Sequence, residues 1–265
     1  MISFANAKIN IGLQVLGRRP DGYHNLETVF YPVQLNDVLE IVEGEQTKLI
    51  SSGLEIPGNG NLCLEAYEML ATDHKLPPLQ IYLHKVIPIG AGLGGGSADA
   101  AFLLNLINNK YELGLQEDTL MAYARRLGAD CAFFIHNKPV LARGIGDELS
   151  DIPLDLSAYK IVLVKPNIHI STAMAYRSVV QYTQEQRLEA YILQPVTEWK
   201  ATISNDFESG IFNQFPQIYG IKAALYEAGA LYASMSGSGS SVYGIFAEEV
   251  KLPELEVQHQ VYYLD

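Results

Sequence analysis

Residues 88–101 read PIGAGLGGGSADAA, in which six of the seven positions 90–96 are glycine or alanine. Each glycine adds unfolded-chain entropy that folding must overcome, so a cluster this dense needs a physical reason. Backbone without side chains lets successive N–H groups converge on an anion, and a helix start adds unpaired N–H groups and a positive dipole end. Upstream, LQIYLHKVIPI (79–89) has a strand pattern. Downstream, SADAAFLLNLINN (97–109) continues as a helix for which Ser97 is the expected N-cap. The order strand, glycine loop, helix predicts a phosphate cradle.

Spacing narrows the kind of cradle. A Walker A loop ends in Gly-Lys-Ser or Gly-Lys-Thr, and no lysine occurs in this loop. Gly90, Gly92 and Gly95 satisfy G-x-G-x-x-G, which keeps a nicotinamide dehydrogenase open, but Glu112 sits in NNKYELG (108–114) and not at the end of a second strand. The H-R-D and D-F-G signatures of protein kinases are absent from the sequence.

Working outward, KINIGLQVL (8–16) and HNLETVFYPVQL (24–35) form strand-like runs around the turn residues RRPDG (18–22). DVLEIVEG (37–44) and TKLISSGLEI (47–56) read as two short strands, GNGN (58–61) as a turn and 62–72 as a helix. A second helix, EDTLMAYARRL (117–127), stops at Gly128, which puts Asp130 at an element boundary. SDIPLDLS (150–157) breaks the periodicity before the strand YKIVLVKP (159–166), so we place a domain boundary there, with domains 1–153 and 154–265. Helices are expected near 172–181 and 217–228, and then strands LYASM (231–235) and SVYGIF (241–246) around SGSGS. Strands and helices without strict alternation indicate an α+β protein.

The 265 residues allow a substantial core, and the net charge of −12 argues against nucleic acid or an anionic membrane surface as partner. Lys8, Arg18 and Arg19 concentrate positive charge near the start, although a solvated turn accounts equally well for the two arginines. Cys63 and Cys131 lack metal or redox spacing and are expected as buried small residues of a reducing compartment. No run approaches 18 apolar residues, and a cytoplasmic, soluble protein is expected; its oligomeric state is open.

Taken together, the glycine loop and SMSGSGSSVYGIF (234–246) resemble the second and third motifs of the GHMP kinases, the superfamily of galactokinase, homoserine kinase, mevalonate kinase and phosphomevalonate kinase. AKINIGLQVLGRRPDGYHNLETVF (7–30) is similar to the branch of that family whose acceptor is 4-(cytidine 5'-diphospho)-2-C-methyl-D-erythritol, and not to the sugar kinases. LGADCAFF (127–134), ARGIGDEL (142–149), ISTAMAY (170–176) and NDFE (205–208) extend the likeness along nearly the whole chain. Asn6 stands where that branch usually has proline. The resemblance implies a two-lobed fold, with a ribosomal-protein-S5-like N-terminal domain carrying the ATP loop and a ferredoxin-like C-terminal domain contributing to the substrate site.

It also implies roles. Pro88, Ile89, Gly90, Ala91, Gly92, Leu93, Gly94, Gly95, Gly96, Ser97 and Ala98 correspond to the stretch that wraps the ATP phosphates. Asp130 corresponds to the catalytic aspartate and Lys8 to the lysine paired with it, a combination that suits proton removal beside a transferring phosphoryl group. Without the motifs, a surface salt bridge would be the reading for both. Tyr23 and His24 correspond to the cytosine-binding pair, Tyr176 to the aromatic on the base's other face, and Asn10 with Asp130 to contacts of the methylerythritol end; among 16 tyrosines, plain core positions are the alternative. Mg²⁺ is expected with ATP, with Ser97 as candidate ligand or simply as helix cap. The implied activity is phosphorylation of the acceptor's 2-hydroxyl, in the non-mevalonate route to isoprenoid precursors. Another GHMP acceptor, or a GHMP-fold ligand sensor without catalysis, is the alternative.

Overall fold

The computed structural model describes residues 1–58, 60–179, 181–183 and 187–264. Strands β1 (Ile2–Arg18) and β2 (His24–Glu43) open the chain, followed by β3 (Lys48–Gly53), α1 (Leu62–Asp73), β4 (Leu79–Lys85), α2 (Gly95–Lys110), α3 (Glu117–Leu127), α4 (Cys131–His136), β5 (Val140–Arg143) and β6 (Glu148–Asp151). The remainder comprises β7 (Lys160–Lys165), α5 (Thr172–Arg177), α6 (Leu188–Ile192), α7 (Val196–Thr202), α8 (Glu208–Gln214), α9 (Pro216–Glu227), β8 (Tyr232–Met235), β9 (Val242–Phe246), α10 (Pro253–Glu256) and β10 (Gln260–Leu264).

Two compact units interleave along the sequence. The first holds residues 1–8, 34–89 and 94–138, and the second holds 9–33, 90–93 and 139–265. Division at 153/154 therefore remains a proposal about family architecture, while the packing assigns residues 9–33 of the β1–β2 hairpin and residues 139–153 to the second unit.

In the first unit, the C-terminal half of β2 pairs antiparallel with β4, Val38 opposite His84 and Glu43 opposite Leu79, and β3 pairs parallel with β4. Burial alternates along β4, with Leu79, Ile81, Leu83 and Lys85 inside, as a sheet covered on one face requires. Helices α1, α2, α3 and α4 pack on one another beside it. DVLEIVE is not a separate strand: no glycine or proline interrupts 34–43, the in–out alternation continues, and β2 runs unbroken for 20 residues. Asn61 caps α1 through its side chain, which accepts from the Cys63 N–H. The turn expected at 58–61 includes Asn59, which lies outside the described residues.

In the second unit, β5 pairs antiparallel with the N-terminal half of β2, and β6 with β5. A four-stranded antiparallel sheet follows, in the order β10-β7-β9-β8. Its core gathers Val162, Val164, Ile211, Leu225, Met235 and Val242 with Leu13 and Val15 of β1. Trp199 is fully buried and donates its indole N–H to Gln194 O. The helix expected over 172–181 ends at Arg177, and Val180 lies outside the described residues. Four-residue strands at 140–143 and 148–151, the short helices α6, α7, α8 and α10, and β10 carry too few residues for a periodic signal. Among the described residues no helix is long and apolar enough to cross a membrane.

Candidate active site

In the first unit, the start of α2 departs from expectation in an informative way. Its N-cap is Gly94, in the left-handed region at φ +72°, so Gly95 and Gly96 form the first turn and Ser97 lies inside the helix. Ser97 is therefore not the cap. A left-handed turn is cheap for glycine, and taking it at Gly94 starts the helix three residues early. No side chain caps this end. The first N–H groups of a 16-residue helix are thus left without a side-chain acceptor, the arrangement that suits a bound phosphate.

A Cβ at Gly94 would lie 2.8 Å from the Phe134 ring and 3.3 Å from Lys8 Cε, so at this positive φ glycine is what fits beside the ring, and the lysine stem runs past the helix start. Lys8 is buried on β1, and its Nζ lies 3.4 Å from Asp130 Oδ2, whose side chain is 34% exposed. The buried lysine rules out a plain surface ion pair. Asp130 is the N-cap residue of α4 yet makes no capping hydrogen bond, which leaves its carboxylate turned to the lysine. Beside it, burial pushes the Cys131 thiol up to about 11, with the Ser97 hydroxyl bonded to it pulling the other way. Both cysteines are buried and free.

A cluster that the sequence did not announce holds the loop from behind. Lys85, at the end of β4, donates to Asp37 on β2 and to Asp99 on α2, the latter at 2.7 Å, and all three side chains are buried. Asp37 Oδ1 also accepts the N–H groups of Val86 and Ile87, the residues just before Pro88. Burial pushes the Asp99 carboxyl up to about 7, the Lys85 charge opposing and Asp37 adding to the rise. Burial alone would lower Lys85, but the two carboxylates outweigh it and raise the ammonium above the usual lysine value. Nothing local marks these residues as partners, because they are 14 to 48 positions apart.

In the second unit, Ala91 and Gly92 lie against the late glycine turn. Ser236 Oγ donates to Gly92 O at 2.8 Å and accepts the Asn10 N–H at 3.1 Å, while the Ser241 N–H donates to Ala91 O. A Cβ at Gly92 would overlap Ser236 O. Asn10 is buried and donates its side-chain amide to Thr28 Oγ1 at 3.0 Å, and Thr28 donates to Gly12 O. Tyr23 ends the hairpin turn with its ring exposed, whereas the His24 ring stacks on Tyr176, centroids 4.4 Å apart and planes within 13°. Phe207 meets Tyr176 edge-on. Burial, and then the Arg18 charge, hold His24 below the usual histidine value. The structure thus brings Lys8 to Asp130 and His24 to Tyr176, and leaves Tyr23 in solvent.

The match to known proteins is extensive. The description GHMP kinases N terminal domain covers residues 61–138, and GHMP kinases C terminal covers 194–260. A 4-diphosphocytidyl-2-C-methyl-D-erythritol kinase of Bacteroides fragilis is 52% identical, over 97% of this chain and 96% of its own length; that of Bacteroides thetaiotaomicron is equally similar over the same shares. A crystal structure of 4-(cytidine 5'-diphospho)-2C-methyl-D-erythritol kinase superposes with TM-score 0.84 at 31% identity, covering all of this chain and 98% of that one. Methanococcus jannaschii mevalonate kinase shares the fold, with TM-score 0.73 at 14% identity, all of this chain and 97% of that one being covered. By sequence over almost its whole length and by its α+β fold, the chain belongs to the 4-diphosphocytidyl-2-C-methyl-D-erythritol kinase family of the GHMP kinases.

Proposed function

We propose that the protein transfers the γ-phosphoryl group of ATP to the 2-hydroxyl of 4-(cytidine 5'-diphospho)-2-C-methyl-D-erythritol, giving the 2-phosphate and ADP. The observation that carries this reading is the buried Lys8 beside Asp130, with the lysine stem running past the uncapped start of α2. Near-full-length relatives bearing that name support the choice of acceptor.

Asp130 accepts the proton of the 2-hydroxyl as its oxygen bonds to the γ-phosphorus and the bond to the β,γ-bridging oxygen breaks. Lys8 keeps Asp130 ionised and offsets negative charge building on the transferring group. Residues 88–98 wrap the phosphates, with the backbone N–H groups after Pro88 as donors and the uncapped turn 95–97 as the part whose chemistry fits an anion best. Ser97, whose hydroxyl is hydrogen-bonded to Cys131, is the proposed protein ligand of Mg²⁺, which would supply charge neutralisation at the phosphates. Among the described residues no cluster of three His, Cys, Asp or Glu side chains could hold a metal.

For the acceptor, Asn10 and Asp130 are proposed at the methylerythritol end. Cytosine is proposed to stack on Tyr23 and Tyr176, taking the place that His24 occupies on Tyr176. Neutral His24 offers one donor and one acceptor nitrogen to the base edge. An ADP-release assay against the cytidyl substrate, mevalonate, homoserine and galactose tests the reading, with turnover expected for the first alone. Asp130→Asn is expected to lower kcat by roughly 10² to 10⁴-fold at little change in ATP affinity. Turnover of another alcohol, or a folded Asp130→Asn protein with normal kcat, counts against it.

A further inference from the structure

The NDFE stretch, residues 205–208, has no part in the chemistry above, yet its polar side chains are buried or half-buried and all are hydrogen-bonded, Asn205 and Glu208 to β8 and Asp206 to β1. Its backbone docks beside the acceptor strand. Leu13 N–H donates to Ser204 O at 2.9 Å, Asp206 N–H donates to Leu13 O at 2.8 Å, and Leu13 and Asn205 form an isolated parallel bridge. Asp206 then accepts from Val15 N–H at 2.7 Å and from the Thr183 hydroxyl at 2.8 Å. Glu208 accepts from Met235 N–H and Ser234, and pairs with Lys222.

Asn205 reaches in the other direction. Its amide nitrogen donates to Met235 O and to Gly237 O, each at 2.9 Å, and its amide oxygen accepts the Phe207 N–H at 3.0 Å. The side chain is 3% exposed and three bonds use both of its N–H groups and its oxygen. Only an amide fits this pattern. A carboxylate would face two carbonyl oxygens with no proton to give, and alanine would leave both carbonyls without this donor. Between Met235 and Gly237 sits Ser236, the residue whose hydroxyl holds Gly92 O and the Asn10 N–H.

We infer that Asn205 is a positioning residue: fixed to β1 by its backbone, it sets through its side chain the place of the Ser236–Ser241 turn, and through Ser236 that of the phosphate loop at Ala91–Gly92. The inference rests on the proposed kinase reading. Asn10 is held independently, its side chain by Thr28 and its carbonyl by the Tyr243 hydroxyl, so that distortion at Asn205 is felt first at Ala91–Gly92 and hence by the nucleotide.

Steady-state kinetics of Asn205→Asp, with Asp206→Asn as a control on the same segment, decide the matter. Asn205→Asp is expected to raise KM for ATP on the order of tenfold and to lower kcat, with KM for the acceptor within about twofold of wild type. In Asp206→Asn an amide oxygen still accepts from Val15, and KM for ATP should stay near the wild-type value. A role in stability alone would lower the melting temperature and the active fraction but move neither KM, and that result, or equal shifts in both KM values, overturns the inference. If Asn205→Asp does not fold, Asn205→Ala is measured in its place with the same expectation. If neither folds, hydrogen exchange on the wild-type protein decides. A non-hydrolysable ATP analogue should protect amides 205–207 together with 237–241, and protection of the turn alone overturns the inference. Absence of wild-type turnover with the cytidyl substrate would instead fault the acceptor assignment, and is recognised before any variant is made.

Discussion

Among single residues, the pair Lys8–Asp130 was legible only through motifs. Nothing in AKIN or LGAD by itself separates a catalytic pair from a surface ion pair, and burial of the lysine excludes only the second. The aromatics were legible as residue types but not as an arrangement. His24 stacked on Tyr176 depends on contacts 152 positions apart, which no local pattern encodes. Tyr23, whose exposed ring has no such neighbour in its own turn, is the better probe of the cytosine reading. Base stacking on an aromatic ring contributes about 1 to 3 kcal/mol, so Tyr23→Ala should raise KM for the cytidyl substrate by about five- to a hundredfold. Because Lys8 and Asp130 are untouched, kcat at saturation should fall far less. Unchanged KM in this variant, measured by the same ADP-release assay, would remove Tyr23 from the acceptor site.

At the level of elements, the glycine loop was readable because a run without side chains is costly to order and suits close approach of backbone to an anion. Its register was not. Ser97 looks like a cap, but only the left-handed Gly94 decides where α2 begins. The anchor behind the loop joins β2, β4 and α2 through Asp37, Lys85 and Asp99, and its energetics should follow pH. A carboxyl raised from the ordinary value to about 7 binds its proton more tightly in the folded state. Its contribution is therefore most favourable below pH of about 4 and declines as pH rises to about 7, above which it stays constant. Asp99→Asn cannot titrate and keeps a polar partner for Lys85. Urea denaturation at a series of pH values should show the stability of wild type relative to this variant decreasing from pH 4 to 7 and level beyond; a constant difference would contradict the raised carboxyl.

For the whole molecule, family and α+β class followed from stretches spread over almost the entire chain, whereas the way the chain is shared between two compact units did not. A break in periodicity at 150–157 suggests a linear cut, but β1 and β2 are long enough for each to belong partly to both units. Two ligands with separate recognition should stabilise the protein together. Each at 100 times its Kd contributes about 2.7 kcal/mol, so CDP should raise Tm by several degrees in the presence of a saturating ATP analogue as well as in its absence. Loss of the CDP shift under saturating analogue would mean one shared nucleotide site. The interleaving also bears on synthesis. As the chain leaves the ribosome, the first unit has all its residues once Lys138 emerges, while residues 9–33 of the second must wait for partners encoded more than 100 codons later. The hairpin that carries Asn10, Tyr23 and His24 is thus made well before most of its native neighbours, an interval in which its apolar strands lack the cover they have in the fold.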